Sequence, residues 1–95
     1  MFAVIFRAKV AKLDARYSEM AAKMRQLAMD KYHCVDFVAV TEGEQEIAIS
    51  YWQSEADILA WKQDSEHHIA QQLGRSTWYE RYQVEVVEIK RQYQG

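Results

Sequence analysis

The chain contains no proline, only three widely spaced glycines and a single cysteine in 95 residues. Without Pro or clustered Gly there is no linker, repeat or low-complexity stretch to mark a boundary, so one domain over residues 1–95 is expected. A second core would have too few residues to form. Cys34 has no intramolecular partner, which excludes a disulfide framework and fits a reducing, cytoplasmic setting. Nothing approaches the roughly 18 consecutive apolar residues of a membrane span, and the start MFAVIFRAKV lacks the basic opening and cleavage site of a signal peptide. No membrane role is expected. An excess of positive charge is missing too: 12 Lys and Arg lie scattered among 14 Asp and Glu. No basic stripe is available to neutralise a phosphate backbone, so nucleic acid is not an expected partner.

Several chemistries are excluded by absent motifs. No GxGxxG, GxxxxGK[ST] or GxSxG occurs, which removes the usual nucleotide cradles and the nucleophile elbow. The three histidines include no i,i+4 pair, and the adjacent pairs His33-Cys34 and His67-His68 cannot easily aim at one ion. No metal site and no bound dinucleotide are expected. Cys34 has only His33 beside it as an activating neighbour, so an inert buried thiol is the default.

What is present is strong periodicity. From Phe2 to Val10, residues Phe2, Val4, Phe6, Ala8 and Val10 alternate with Ala3, Ile5, Arg7 and Lys9, the period of a strand. After Asp14, a candidate N-cap, the positions Tyr17, Met20, Ala21, Met24, Leu27 and Ala28 recur at helical spacing, predicting a helix that ends near Met29 or Asp30. The β-rich runs Cys34 to Thr41 and Glu46 to Gln53 flank Glu42-Gly43-Glu44-Gln45 and predict an antiparallel hairpin. Ser54 before Glu55-Ala56-Asp57 reads as a capping box opening a second helix, with Ala56, Leu59 and Ala60 as its apolar positions. The polar cluster Gln63-Asp64-Ser65-Glu66 predicts a break near Asp64, and Gly74 a helix end. Tyr82 to Arg91 alternates again and predicts the last strand.

Two β-α-β units around a hairpin give an α+β fold, the ferredoxin-like β-α-β-β-α-β arrangement of a four-stranded antiparallel sheet with both helices on one face. The second face is also apolar. In the third strand Ile47, Ile49 and Tyr51 oppose Ala48 and Trp52, and in the second Val38 and Val40 oppose Val35, Phe37 and Ala39. Two helices cover one face only, so the other is expected to meet a second sheet, that of a homodimer partner.

The stretch ISYWQSEADILAWKQDSEHHIAQQLGR, followed by WYERYQVEVVEIKRQY, resembles the antibiotic biosynthesis monooxygenase family. The marks are Tyr51-Trp52 ending strand three, Ser54, Trp61, His67, Gln71, Gly74-Arg75 and Tyr82, and with the MFAVIF start the resemblance spans nearly the whole chain. It implies a dimeric α/β barrel of two ferredoxin-like subunits, each with a pocket between helices and sheet. It further implies a cofactor-independent monooxygenase that oxidises an electron-rich aromatic or quinol-type small molecule with molecular oxygen, without metal, flavin or haem. A non-catalytic dimeric binding or accessory protein is the alternative. Haem-degrading members carry an Asn on strand one and a His beyond the helix-two Trp. Here Phe6 and Arg7 occupy the strand positions and Gln71 stands where that His falls, so a haem-binding relative survives only through His67 or His68.

The candidate catalytic residues are Trp61 and His67. An indole offers a flat face to an aromatic ligand and an N–H that needs a partner when buried; a core tryptophan is the competing reading. His67 lies seven residues beyond Ala60, on the stripe Ala56, Leu59, Ala60, Ala70 and Gly74, where it would face the sheet and could take a phenolic proton. A structural histidine satisfies the same pattern, and a helix break would exchange the roles of His67 and His68. For substrate binding the candidates are Gln71, one turn after His67, the aromatic Tyr51, and the cations Arg75 and Arg81, which could stabilise a developing anion or simply pair with Glu80 or Glu85. Trp52 and Trp78 are assigned to the core.

Overall fold

A computed structural model describes residues 1–11, 15–73 and 78–95, with the side chains of 67–73 outside the description. The element order is β1 (Phe2–Val10), α1 (Ala15–Asp30), β2 (Asp36–Glu42), β3 (Gln45–Trp52), α2 (Glu55–Leu73) and β4 (Tyr79–Glu88). The sheet order is β2-β3-β1-β4, antiparallel throughout. This is the expected ferredoxin-like fold. The hairpin turn is tighter than the sequence suggests: Glu42 pairs with Gln45, and Gly43 adopts φ +59, a positive value that glycine reaches without steric cost at the first central position of a two-residue turn.

Strand register sorts the sheet into two faces. On the helix side, Phe2, Val4, Phe6 and Ala8 of β1 lie opposite Trp52, Ser50, Ala48 and Glu46 of β3 and opposite Glu88, Val86, Val84 and Tyr82 of β4. The core forms there. Val4, Ala28, Cys34, Phe37, Trp52 and Ile58 make one cluster, and Val10, Tyr17, Met20, Met24 and Trp78 make the other. Trp61 packs against both. Helix α1 buries Tyr17, Met20, Met24 and Ala28, as its spacing predicts. Trp52 is fully buried and donates Nε1–H to Ser50 Oγ at 2.8 Å, which satisfies the one polar atom that burial would otherwise leave unpaired.

Helix α2 departs from expectation twice. It runs unbroken through Asp64, because the Asp64 carboxylate is used elsewhere: Tyr32 donates its hydroxyl to it at 2.7 Å and Lys31 lies at 3.3 Å. A carboxylate held by the end of α1 does not compete for the backbone N–H groups of its own helix. The buried stripe also differs. Ile58 and Ser65 are buried and Trp61 is half-buried, whereas Ala56 is exposed and Leu59 is 59% exposed. The large indole, with its N–H bonded to α1, sets the rotation of the helix. At the start, Ser54 Oγ accepts Ala56 N–H at 3.1 Å, the predicted N-cap. Asp57 does not complete a capping box, since it meets His33 Nδ1 at 3.5 Å.

Strand β4 begins three residues before the predicted Tyr82 and ends at Glu88 rather than Arg91. The early start comes with a β-bulge: Lys9 pairs with Arg81 but Val10 pairs with Tyr79, so Glu80 is extra. The predicted cap Asp14 and terminator Gly74 lie outside the described residues.

Candidate functional site

The bulge at Glu80 decides what the helix side of β4 presents. In a regular strand, residues 79 and 82 point to opposite faces. One extra residue between them restores the phase, so Tyr79 (opposite Val10) and Tyr82 (opposite Ala8) both share the helix side with Phe6. The three rings meet there. The Phe6 centroid lies 5.2 Å from that of Tyr79, edge-on, and 6.2 Å from that of Tyr82, and the two tyrosines are 6.0 Å apart. Tyr17 from α1 stands edge-on to Tyr79 at 5.9 Å and to Trp78 at 5.7 Å.

This aromatic floor is open. Tyr82 is 67% exposed, and Val84 and Val86, the next helix-side positions of β4, are exposed as well. Among the described residues neither core cluster includes a β4 residue beyond Tyr79, so Phe6, Tyr79, Tyr82, Val84 and Val86 form an aromatic and apolar strip, termed the groove, along the β1–β4 half of the helix side. At its inner end, beyond the small side chain of Ala8, stands Glu46. That carboxylate is only 6% exposed and accepts a hydrogen bond from Thr41 Oγ1 on β2. Burial raises the Tyr17 phenol far above its ordinary value, and the neighbouring Tyr79 and Glu46 raise it further. Tyr79 is raised by burial and by Glu46, although Tyr17 offsets part of the effect. Both phenols are therefore neutral donors at physiological pH.

The residues singled out from the sequence are distributed unevenly. Trp61 sits on the helix side, with Nε1–H donated to the Met24 carbonyl at 2.9 Å and its ring 5.3 Å from Trp52 and 6.1 Å from Phe37. Its polar atom is already satisfied, so it shapes the core beside the groove. Tyr51 and Arg81 belong to the opposite face, where Tyr51 pairs with Ala3 and Asp36 and Arg81 pairs with Lys9. One subunit does not bring them together with Trp61. The side chains of His67, His68 and Gln71, and all of Arg75, lie outside the described residues. Sequence reasoning missed Phe6, Tyr79 and Glu46 as groove residues. The run Trp78-Tyr79-Glu80-Arg81-Tyr82 held the signal, since three aromatics in five residues beside a strand exceed what a solvated edge needs.

Two sequence assignments hold without qualification. Trp52 and Trp78 are buried core residues. Cys34 is buried, with its thiol directed at the carbonyls of Asp36 and Tyr51 at 3.1 and 3.4 Å, and burial pushes its pKa up. Such a thiol is unreactive. Among the described residues, no group of three His, Cys, Asp or Glu side chains is arranged to hold a metal, and no helix is long and apolar enough to cross a membrane.

No family model matches the chain. It is 38% identical over 92 residues to the uncharacterized protein YqjZ of Bacillus subtilis (strain 168), covering 96% of this chain and 81% of that one. The chain belongs to the YqjZ family. Among solved structures it superposes on an antibiotic biosynthesis monooxygenase with TM-score 0.67 and 11% identity, over 94% of this chain and 98% of that one. A point mutant of MhuD with two manganese protoporphyrin IX molecules bound per active site superposes with TM-score 0.65 and 13% identity, over the full length of both. The YqjZ-family chain thus has the fold of the antibiotic biosynthesis monooxygenases, as its sequence resemblance implies.

Proposed function

We propose that the protein binds a planar, electron-rich aromatic in the helix-side groove and oxidises it with molecular oxygen, as a cytoplasmic homodimer. The observation that carries this reading is the bulge-built floor of Phe6, Tyr79 and Tyr82, which offers ring faces and edges to a flat apolar ligand at low entropic cost. The monooxygenase fold supports it. Oxygen accepts electrons from such a ligand without a cofactor only after the ligand loses a proton. In this reading His67, with Gln71 one turn on, takes that proton, and the ring carbon ends as a carbonyl while the second oxygen atom leaves as water. Trp61 holds α2 against α1 and contributes shape.

The dimer in this proposal forms through the face opposite the helices. Ala3, Ile5, Val38, Val40, Ile47, Ile49 and Val87 lie there by register, and Val38, Val40 and Val87 are exposed, Val40 by 60%. An apolar face of this kind favours a second sheet. Sedimentation equilibrium at micromolar concentration is expected to give a dimer, and a monomer refutes this part.

Oxygen consumption with a panel of anthrols and hydroquinones tests the activity, and tryptophan fluorescence quenching tests binding. Tyr82→Ala should weaken binding about tenfold with little change in melting, since the ring is mostly exposed. His67→Ala should leave binding intact and cut oxygen uptake by about a hundredfold or more. Binding without uptake in the wild type would make the protein a carrier, and absence of both would remove the groove as a site. The MhuD likeness makes haem the informative competitor: a shifted Soret band at low micromolar haem, lost in Tyr82→Ala, would reassign the same groove to a porphyrin.

A further inference from the structure

The face opposite the helices is apolar across most of its width but cationic toward the bulge. There, register sets Arg7 and Lys9 of β1 beside Gln83 and Arg81 of β4, with Gln45 of β3 on the other side of Lys9. Arg7 donates Nη2–H to Gln83 Oε1 at 3.1 Å, and Lys9 pairs with the bulge residue Glu80 at 3.3 Å. Arg81 has no hydrogen-bond or ion-pair partner among the described residues. These five residues, with Ala8 and Tyr82 between them, line a depression of about 220 Å³ with no acidic residue in its lining, several times the ~30 Å³ of one water molecule. A neighbouring depression of similar size continues it toward the hairpin, where Glu42 and Glu44 close the margin.

The chemistry of that lining is specific. Lys9 is offset by Glu80, so the positive local field of the depression comes from Arg7 and Arg81, on a chain whose net charge is −2. A guanidinium with no internal partner presents a planar fork that matches two oxygens of one oxyanion, and the carboxamide N–H groups of Gln45 and Gln83 add neutral donors. The regular β1–β4 register sets Arg81 opposite Lys9, and the bulge just beyond it takes Glu80 out of the ladder, where it pairs with Lys9 at the strand margin. We propose that Arg7, Lys9 and Arg81, with Gln45 and Gln83, form a second ligand site that binds the phosphate or carboxylate group of a small molecule. The site centres on the other side of the sheet from the aromatic groove, and Tyr82 borders both. Where two copies meet through this face, the bound anion supplies the counter-charge that Arg7 and Arg81 would otherwise lack on burial, so anion binding and subunit association are expected to reinforce each other.

The test is thermal melting and calorimetry of the whole protein at fixed protein concentration, with sodium phosphate or sodium acetate replacing chloride at constant ionic strength. A saturable rise in melting temperature beyond chloride is expected from phosphate if the natural group is a phosphate, or from acetate if it is a carboxylate. Arg81→Gln should weaken that anion about tenfold, Arg81→Lys less, because the charge stays and the fork is lost. Arg7→Gln provides a second, exposed position at which folding is not at risk, and Glu85→Gln on the same face should leave the response unchanged. No rise with either anion, or an undiminished rise in both Arg81→Gln and Arg7→Gln, overturns the proposal.

Discussion

Replacing Trp61 by Phe removes one hydrogen bond and one fused ring at the point where the two halves of the core meet. The Nε1–H bond to the Met24 carbonyl, at 2.9 Å, is worth about 1 kcal/mol net, and the Met24 oxygen keeps its helical partner, so no buried acceptor is stranded. The lost ring weakens the packing on Trp52 and Phe37 by about as much again, less than full burial would give because the side chain is half-buried. The sum is about 1–2 kcal/mol, and Trp61→Ala should cost about 2–4 kcal/mol. For a chain of this length, 1 kcal/mol moves the melting temperature by roughly 4–8 °C, so Trp61→Phe should melt roughly 5–15 °C below the wild type. Scans must be run at one protein concentration, because a dimer's melting point depends on it. A Trp61→Phe protein that melts with the wild type would refute the assignment of Trp61 as the pin between α1 and α2. A protein that also loses ligand with unchanged melting would return the indole to the site.

Ser54→Ala should lower stability by about 1 kcal/mol, read from the urea midpoint, because it leaves the Ala56 N–H without its cap. His33 holds φ 63 at the exit from α1 while the Cys34 N–H reaches back to the Ala28 carbonyl at 2.9 Å; His33→Gly should therefore stabilise by about 0.5 kcal/mol, and a loss would show that the exposed contact to Asp57 outweighs the strain. Tyr17 and Tyr79, raised chiefly by burial, and Tyr32, raised chiefly by its bond to Asp64, all bind their protons more tightly folded than unfolded. Their contribution is therefore complete below the ordinary tyrosine value of 10.0 and falls as pH rises above it. Urea midpoints should be level from pH 7 to about 9 and drop by pH 11, with a smaller drop in Tyr17→Phe, whereas equal stability at pH 8 and 11 would contradict the shifts.

The fold was readable because each element carries its own period. Phe2 to Val10 alternates and becomes a nine-residue strand, and Tyr17, Met20, Met24 and Ala28 recur at helical spacing and become the buried stripe of α1. Helix α2 was harder for a physical reason. Ala56, Leu59 and Ala60 form an apolar series in sequence, yet a competing series of Ile58, Trp61 and Ser65 is the one that packs. The choice between them was made by a single large residue whose partner, the Met24 carbonyl, lies 37 positions away in the chain. No local pattern contains that information. The expected break at Asp64 failed in the same way, because the residues that occupy its carboxylate, Lys31 and Tyr32, come from the end of α1.

The site was obscured by the bulge. Strict alternation assigns Tyr82, Val84 and Val86 to one face, which is correct, but it sends Tyr79 to the other and leaves Tyr82 as a lone exposed aromatic. Only when Glu80 is taken out of the ladder do Tyr79 and Tyr82 fall in phase with Val10 and Ala8 and converge on Phe6. Arg81 stays opposite Lys9 in the regular register, away from Tyr82, so the bulge moves Tyr79 to the aromatic face and leaves the cationic one unchanged. Bulges twist and re-aim strands at a small cost in ladder hydrogen bonds. Here that cost is placed at the start of β4 next to Trp78, whose carbonyl accepts the Ala11 N–H at 2.7 Å and so holds the strand margin against β1 despite the interruption.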